Sequence, residues 1–202
     1  MQLSSDRSRL FELRRDRAAA HRSAELLEHK CEVLLRELSR KTAARDALRR
    51  SVTSRYATAQ SLLRVARVEA GPARIESAAR AQTLRCRIER RLVPVMGVSL
   101  VELDVTCEPF RAGYGAAGTT ESMDVAGASF AALVPDLCVL AARELTVRRL
   151  RLALRKATKL LNALRKVVVP RIEHDIRAIV DGLEEEERDE AVRRRFRDHI
   201  HR

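Results

Sequence analysis

Apolar positions recur every three or four residues along most of this chain. Between Phe130 and Ile200 the only glycine is Gly182 and the only prolines are Pro135 and Pro170. Within it, Val147, Leu150, Leu154, Ala157, Leu161, Leu164, Val168, Ile172, Ile176, Ile179 and Leu183 form one line. Such spacing keeps side chains on one face of a helix. As far as Leu164 the steps alternate three and four, the seam of a left-handed coiled coil. From Leu164 to Ile176 three fours follow, a stutter that locally unwinds a supercoil. A helix this long with so narrow a stripe needs a partner along its seam.

The first third of the chain supplies a matching line. From Leu10 a heptad register runs through Leu13, Arg17, Ala20, Ala24, Leu27, Cys31, Leu34, Leu38, Lys41, Arg45, Leu48, Val52, Arg55, Ala59, Leu62 and Ala66. Ser4 or Ser5 with Asp6 offers a helix start, and no breaker occurs before Gly71-Pro72. The pattern predicts a helix of up to about 60 residues, roughly 90 Å long. Arg17, Lys41, Arg45 and Arg55 interrupt the seam. Polar seam residues fix register at a cost in stability; the alternative is that they face a third element.

After a resumed helical stretch to Ala81 the period changes to two. Leu84, Cys86 and Ile88 alternate with Arg85, Arg87 and Glu89, and Val101, Leu103 and Val105 alternate with Glu102 and Asp104. Pro94 and Gly97 lie between, so this is a hairpin of two short strands. A lone hairpin is marginal in water, so it is expected to lean on the helices or on another subunit. Residues 107–129, with Pro109, Gly113, Gly115, Gly118 and Gly127, read as a connector, with the long helix beginning near Ser122–Ser129. Its Gly-x-Gly lacks the Gly-Lys-Ser/Thr ending of a phosphate loop. The fold class is therefore mainly α. Two long helices, over 1–81 and 130–202, pair antiparallel, with a β-hairpin and connector over 82–129 inserted between them.

Composition agrees with thin seams rather than a thick core. Trp is absent, aromatics are 3% and charged residues 34%. The net charge of +12 suits an acidic partner, nucleic acid or protein. Cys31, Cys86, Cys107 and Cys138 form no CxxC and are expected to be reduced thiols. The N-terminus is polar and charged, unlike a signal peptide, and no run is expected to reach the roughly 20 apolar residues that span a bilayer. Any membrane association is expected through other proteins.

Candidate chemistry is sparse. His21, His29, His174, His199 and His201 show no metal-ligand spacing, and Glu184 to Glu187 is a charge run. No nucleophile–base arrangement emerges. No catalytic residue, cofactor or metal is assigned, and the chain by itself is expected not to be an enzyme. The competing class is a basic coiled-coil scaffold or nucleic-acid-binding protein. It lacks a recognition motif and has few aromatics for stacking on bases, so no direct nucleic-acid contact is expected.

The stretches Thr158-Lys159-Leu160-Leu161-Asn162-Ala163-Leu164, Val169-Pro170-Arg171-Ile172-Glu173 and Leu183-Glu184-Glu185-Glu186-Glu187-Arg188 resemble the D subunit of the V-type and A-type rotary ATPases (ATP synthases), in a bacterial-type form. Met96-Gly97-Val98, Gly113-Tyr114-Gly115 with Gly118-Thr119, and the Arg-rich helix from Leu10 to Arg22 fit the same pattern. The resemblance spans essentially the whole chain. Its motif residues are Asn162, Ala163, Leu164, Pro170, Arg171 and Glu173. Arg165 departs from it, standing where the family usually has an acidic residue.

The resemblance implies a central rotor shaft that couples ATP hydrolysis or synthesis to proton or sodium transport. Implied partners are the F subunit, the catalytic and non-catalytic ring subunits (A and B), and the subunit that connects to the membrane rotor. The implied location is cytoplasmic and peripheral, with the membrane touched only indirectly. Arg171, Arg177, Arg188, Arg193, Arg194, Arg195 and Arg197 are candidate contacts to acidic ring segments; a solvated basic face is the plainer reading. Pro170 removes a backbone donor in mid-helix and is a candidate bend.

Overall fold

The structure, a computed structural model, describes residues 2–115 and 119–200, with side chains described between 6 and 195. Eight elements follow in order: α1 (Gln2–Ala70), α2 (Pro72–Ala81), β1 (Cys86–Val95), β2 (Val98–Cys107), α3 (Glu121–Ala131), α4 (Val134–Ala163), a π-helical turn (Leu164–Val168) and α5 (Val169–Ile200). The helix–hairpin–helix order expected from the periodicity is present. α1 starts at Gln2, ahead of the expected Ser4/Ser5 cap, and runs 69 residues. The connector ends at residue 120, since α3 begins at Glu121, one residue before the early end of the expected Ser122–Ser129 start.

The chain divides into two compact units, 1–33 with 154–202, and 34–153. In the first, α1 and α5 run antiparallel. Arg7 pairs with Glu187 at 3.1 Å, Glu28 pairs with Arg165, and the Cys31 thiol meets the Thr158 hydroxyl at 3.9 Å. Ala20, Ala24, Ala157, Val169 and Ile176 are buried along this seam.

The π turn revises the seam. Three steps of four place Val168 in it, but Val168 is exposed and Val169 is buried. The Val169 N–H donates to the Leu164 carbonyl, five residues back, so one extra residue is accommodated in that turn. The physical cause lies next door. Pro170 has no N–H for the Lys166 carbonyl, and its ring would crowd that carbonyl in a regular helix. The stutter is resolved as a single step of five, after which Ile172 and Ile176 resume the line.

In the second unit the same antiparallel sense holds. Arg143 donates to the Ala44 carbonyl at 2.9 Å, Arg55 pairs with Asp136, and Ser122 donates to Glu69 at 2.5 Å. Leu34, Val52, Ala59 and Ala66 of α1 are buried, as are Ala142, Val147 and Leu150 of α4. All are seam positions except Ala142. The polar seam residues divide. Lys41 reaches out to Glu102 of β2 at 2.8 Å, a third element, whereas Arg55 stays on the partner helices, donating to the Ala132 carbonyl and pairing with Asp136. Arg45 pairs with its neighbour Asp46, and Arg17 is exposed.

The hairpin is longer and tighter than expected. Ten-residue strands pair antiparallel from Cys86↔Cys107 to Val95↔Val98. The turn is Met96-Gly97 alone, with φ of 48° and 81°, the positive pair that a two-residue type I′ turn demands. Cys86 and Cys107 form a disulfide, which corrects the expectation of four thiols; Cys31 and Cys138 are free. A CxxC is unnecessary, because strand register rather than sequence proximity brings the two together.

A second correction concerns hydropathy. The helical stretch 121–195 contains an 18-residue window of mean hydropathy 1.9, apolar enough by length and composition to cross a membrane. From Val125 to Ala142 the one charge is Asp136. Gly127 and Pro135 disguise the run as connector and punctuation. In the fold it is interrupted at Ala132–Leu133, and Asp136 is held by Arg55.

Candidate partner-binding surfaces

Three surfaces stand out. The first is the α5 face that carries the candidate arginines. Arg171, Arg177, Arg188, Arg193, Arg194 and Arg195 are all exposed; the Arg197 side chain lies outside the described residues. Most are not free charges. Arg188 pairs with Glu184 and Glu185 at 3.4 and 3.2 Å, Arg193 with Asp189 at 3.8 Å, and Arg194 with Glu190 at 3.2 Å. These are one-turn pairs on a single helix, worth only tenths of a kcal/mol. Arg177 donates to the Glu173 carbonyl at 3.3 Å. The α5 face is thus a lattice of both signs, in which the expected arginines are brought together with their own acids.

The motif residues sit beside the π turn. Asn162, Ala163, Pro170 and Arg171 are exposed, whereas Leu164 and Glu173 are half-buried. The departure at Arg165 has a local explanation: it pairs with Glu28 of α1. A carboxylate at that position would face Glu28 with like charge.

The second surface is the hairpin. Thr146 of α4, buried, accepts from the Val101 N–H at 3.2 Å and donates to the Val101 carbonyl at 3.0 Å. Arg149 donates to the Ser99 carbonyl at 2.9 Å. These contacts cover the outer edge of β2, which would otherwise expose unpaired backbone groups. The hydrogen bond from Lys41, reinforced by its charge, holds the Glu102 carboxyl below the usual carboxylate range. The hairpin leans on α1 and α4, as its marginal size requires. β1 is the other edge. There Ile88 and Leu92 are exposed, and Pro94, opposite Ser99, has its missing N–H on the outer side, where no ladder bond is lost.

The third surface has no signature in the sequence. A cleft of about 880 Å³ opens between α1, α2, the connector and α3–α4. Leu63, Ile75, Met123, Phe130, Leu133 and Leu137 give it apolar walls, with Arg67, Glu76 and Gln82 among its few polar groups. Ala78, Met123 and Ala126, which also line it, belong to a buried alanine cluster with Ala66 and Ala70. Phe130 meets Tyr56 edge-on, with ring centroids 6.1 Å apart.

The connector that flanks the cleft is anchored. The Gln82 side chain accepts from the Gly113 N–H at 3.0 Å and donates to the Arg111 carbonyl at 3.0 Å. The Phe110 ring lies on Gly127, where a Cβ would come within 2.5 Å of it. Tyr114 packs on the alanine cluster and donates to Asp124 at 2.6 Å. Burial, then that hydrogen bond, pushes its phenol up to about 12. Among the described residues no group of three or more His, Cys, Asp or Glu side chains is placed to hold a metal ion.

Comparison with known proteins gives these surfaces their context. A family model for the D subunit of ATP synthase matches residues 9–196. The A-type ATP synthase D subunit of Pyrococcus furiosus is 29% identical over 196 residues, covering 96% of this chain and 92% of its own. A V-type ATP synthase D subunit of Treponema pallidum, the one numbered 2, is 27% identical, covering 93% and 90%. The A-type D subunit of Methanopyrus kandleri is 27% identical, covering 91% and 80%. With nearly the whole chain matched, from the first seam residues of α1 to the α5 arginines, this protein belongs to the ATP synthase D-subunit family.

Proposed function

We propose that this chain is the central rotor shaft of a V-type/A-type ATPase or ATP synthase, a non-catalytic subunit. It transmits torque between nucleotide turnover in the catalytic ring and proton or sodium transport in the membrane rotor. The observation that carries this reading is the antiparallel helix pairing, present in each compact unit and cross-tied by Arg7–Glu187, Glu28–Arg165 and Arg55–Asp136. A pair of helices joined along a seam resists twisting, because each keeps its own backbone hydrogen bonds while the seam fixes their register.

The working parts on this reading are the long helical regions towards the two ends of the chain, with the hairpin and connector between them. The α5 face, with Arg171, Arg177, Arg188, Arg193, Arg194, Arg195 and Arg197, meets the A and B ring subunits. Its mixed charges suit a bearing, since exposed ion pairs are each worth about 0–1 kcal/mol and exchange easily. Arg171 and Arg195 form no ion pair among the described residues and are the foremost contacts. The F subunit binds alongside. The apolar cleft suits the subunit that joins the shaft to the membrane rotor. Pro170 with its π turn is a bend that presents different faces to successive ring subunits. The location that follows is cytoplasmic and peripheral, with no direct membrane or nucleic-acid contact.

The test is assembly. Mixed with the purified F subunit and the A/B ring, the chain should enter a stoichiometric complex. A chain that elutes alone, while the ring and the F subunit remain competent to bind a related D subunit, would overturn the proposal.

A further inference from the structure

We infer that the Cys86–Cys107 disulfide is a thiol–disulfide exchange site, opened by small thiols and closed by small disulfides, which sets the order of the hairpin's base. The hairpin is secured unevenly. Near its turn, Ser99, Val101 and Glu102 are tied to Arg149, Thr146 and Lys41. Beyond Leu103, towards the base, no hydrogen bond or ion pair to a helix is present among the described residues. The base is held by the strand ladder with the Arg91–Asp104 pair at 4.0 Å, by the Glu108 N–H to Arg85 carbonyl bond at 2.9 Å, by the disulfide and, below it, by the Gln82 bonds to Arg111 and Gly113. A short isolated stretch of two strands is marginal by itself, so the covalent link decides whether it stays closed.

The link is reachable. Both cysteines are only half-buried, and a cleft of about 650 Å³ adjoins them, lined also by Arg85, Arg87, Glu108 and Pro109. That volume admits a thiol of tripeptide size. The exchange balances without another reagent. A thiolate attacks one Sγ, the S–S bond breaks, and its electrons leave on the other Sγ, which takes a proton. A second small thiolate attacks the small-molecule sulfur of the mixed disulfide, and the cysteine Sγ leaves and takes a proton. The products are two cysteine thiols and one small disulfide, and the reverse sequence closes the bond. Cys31 and Cys138 are free thiols and are not consumed in the exchange. Exposed disulfides are the labile kind. This inference stands on the hairpin alone and does not depend on the shaft role.

The experiment uses the full chain, air-oxidised, then equilibrated with reduced and oxidised glutathione without denaturant. Thiol labelling with mass detection should find two labelled cysteines before reduction and four after. Amide exchange should rise on the order of 100-fold at Arg87, Glu89, Asp104, Thr106 and Glu108, while 98–102 changes less than about threefold. Cys107→Ser should show the open pattern under all conditions; if that variant does not fold, the wild-type titration alone decides. Four labelled thiols in the oxidised chain, a bond that glutathione opens only with denaturant, or exchange at the base that does not change would each overturn the inference.

Discussion

The Thr146 hydroxyl both receives the Val101 N–H and donates to the Val101 carbonyl, at 3.2 and 3.0 Å, in a buried site. One side chain thus replaces the neighbouring strand that β2 lacks. Thr146→Val keeps the shape but leaves two buried backbone groups unpaired, and each costs about 1–3 kcal/mol. The variant should lose about 3 kcal/mol in denaturant unfolding, with faster amide exchange at 98–102. Thr146→Ser should recover most of the loss. Unchanged exchange at those amides would show that the contact does not hold the hairpin.

Pro170 and the π turn make a prediction about register. In Pro170→Ala the helix regains the donor for the Lys166 carbonyl, and residues 164–168 should relax to α-helix. Val168 should then enter the seam and Val169 leave it. Single cysteines at 168 and 169, labelled in the wild-type and Pro170→Ala backgrounds, measure this directly. The accessible position should switch from 168 to 169. The same labelling pattern in both backgrounds would separate the π turn from the proline.

That turn also marks where sequence stops informing. The α1 seam is legible because every buried apolar residue of the described α1, apart from Ala70, falls on the heptad line, from Ala20 to Ala66. A line of fours near Leu164 has two solutions, and only backbone hydrogen bonding chooses between them. The disulfide is legible in principle: Cys86 and Cys107 are equidistant from Met96-Gly97 once the turn is cut to two residues. Pro94 hides it by making the turn look long. The apolar cleft leaves no periodic signal, since its walls come from four separate segments.

Gly127 has a steric duty against Phe110. A methyl group there would meet the ring at 2.5 Å. Gly127→Ala should displace Phe110 from the cleft wall and cost about 1–3 kcal/mol, read as a lower thermal midpoint. Phe110→Leu, which removes the ring, should restore part of the loss in the double variant. If Gly127→Ala melts with the wild type, the close approach is not a constraint.

Tyr114 sets an alkaline limit. Its phenol is pushed up to about 12 in the fold, against about 10 in an unfolded chain. Because the raised group is protonated and neutral, its contribution is complete below pH 10 and is lost as pH rises towards 12. In a Tyr56→Phe background, tyrosinate absorbance should appear about two pH units late, with stability falling over the same window. Tyr114→Phe should abolish that pH dependence. A midpoint near 10 would contradict the partial burial of Tyr114 and its hydrogen bond to Asp124.

The central claim is torque transmission, and rotation is its most direct measurement. With the A/B ring fixed to a surface and a bead attached to this chain through an added cysteine in the hairpin turn, ATP should drive stepwise rotation in one direction. Neutralising Arg171 and Arg195 together should reduce torque or coupled turnover without unfolding the chain. ATP hydrolysis by a ring that holds this chain while the bead only fluctuates would contradict the account.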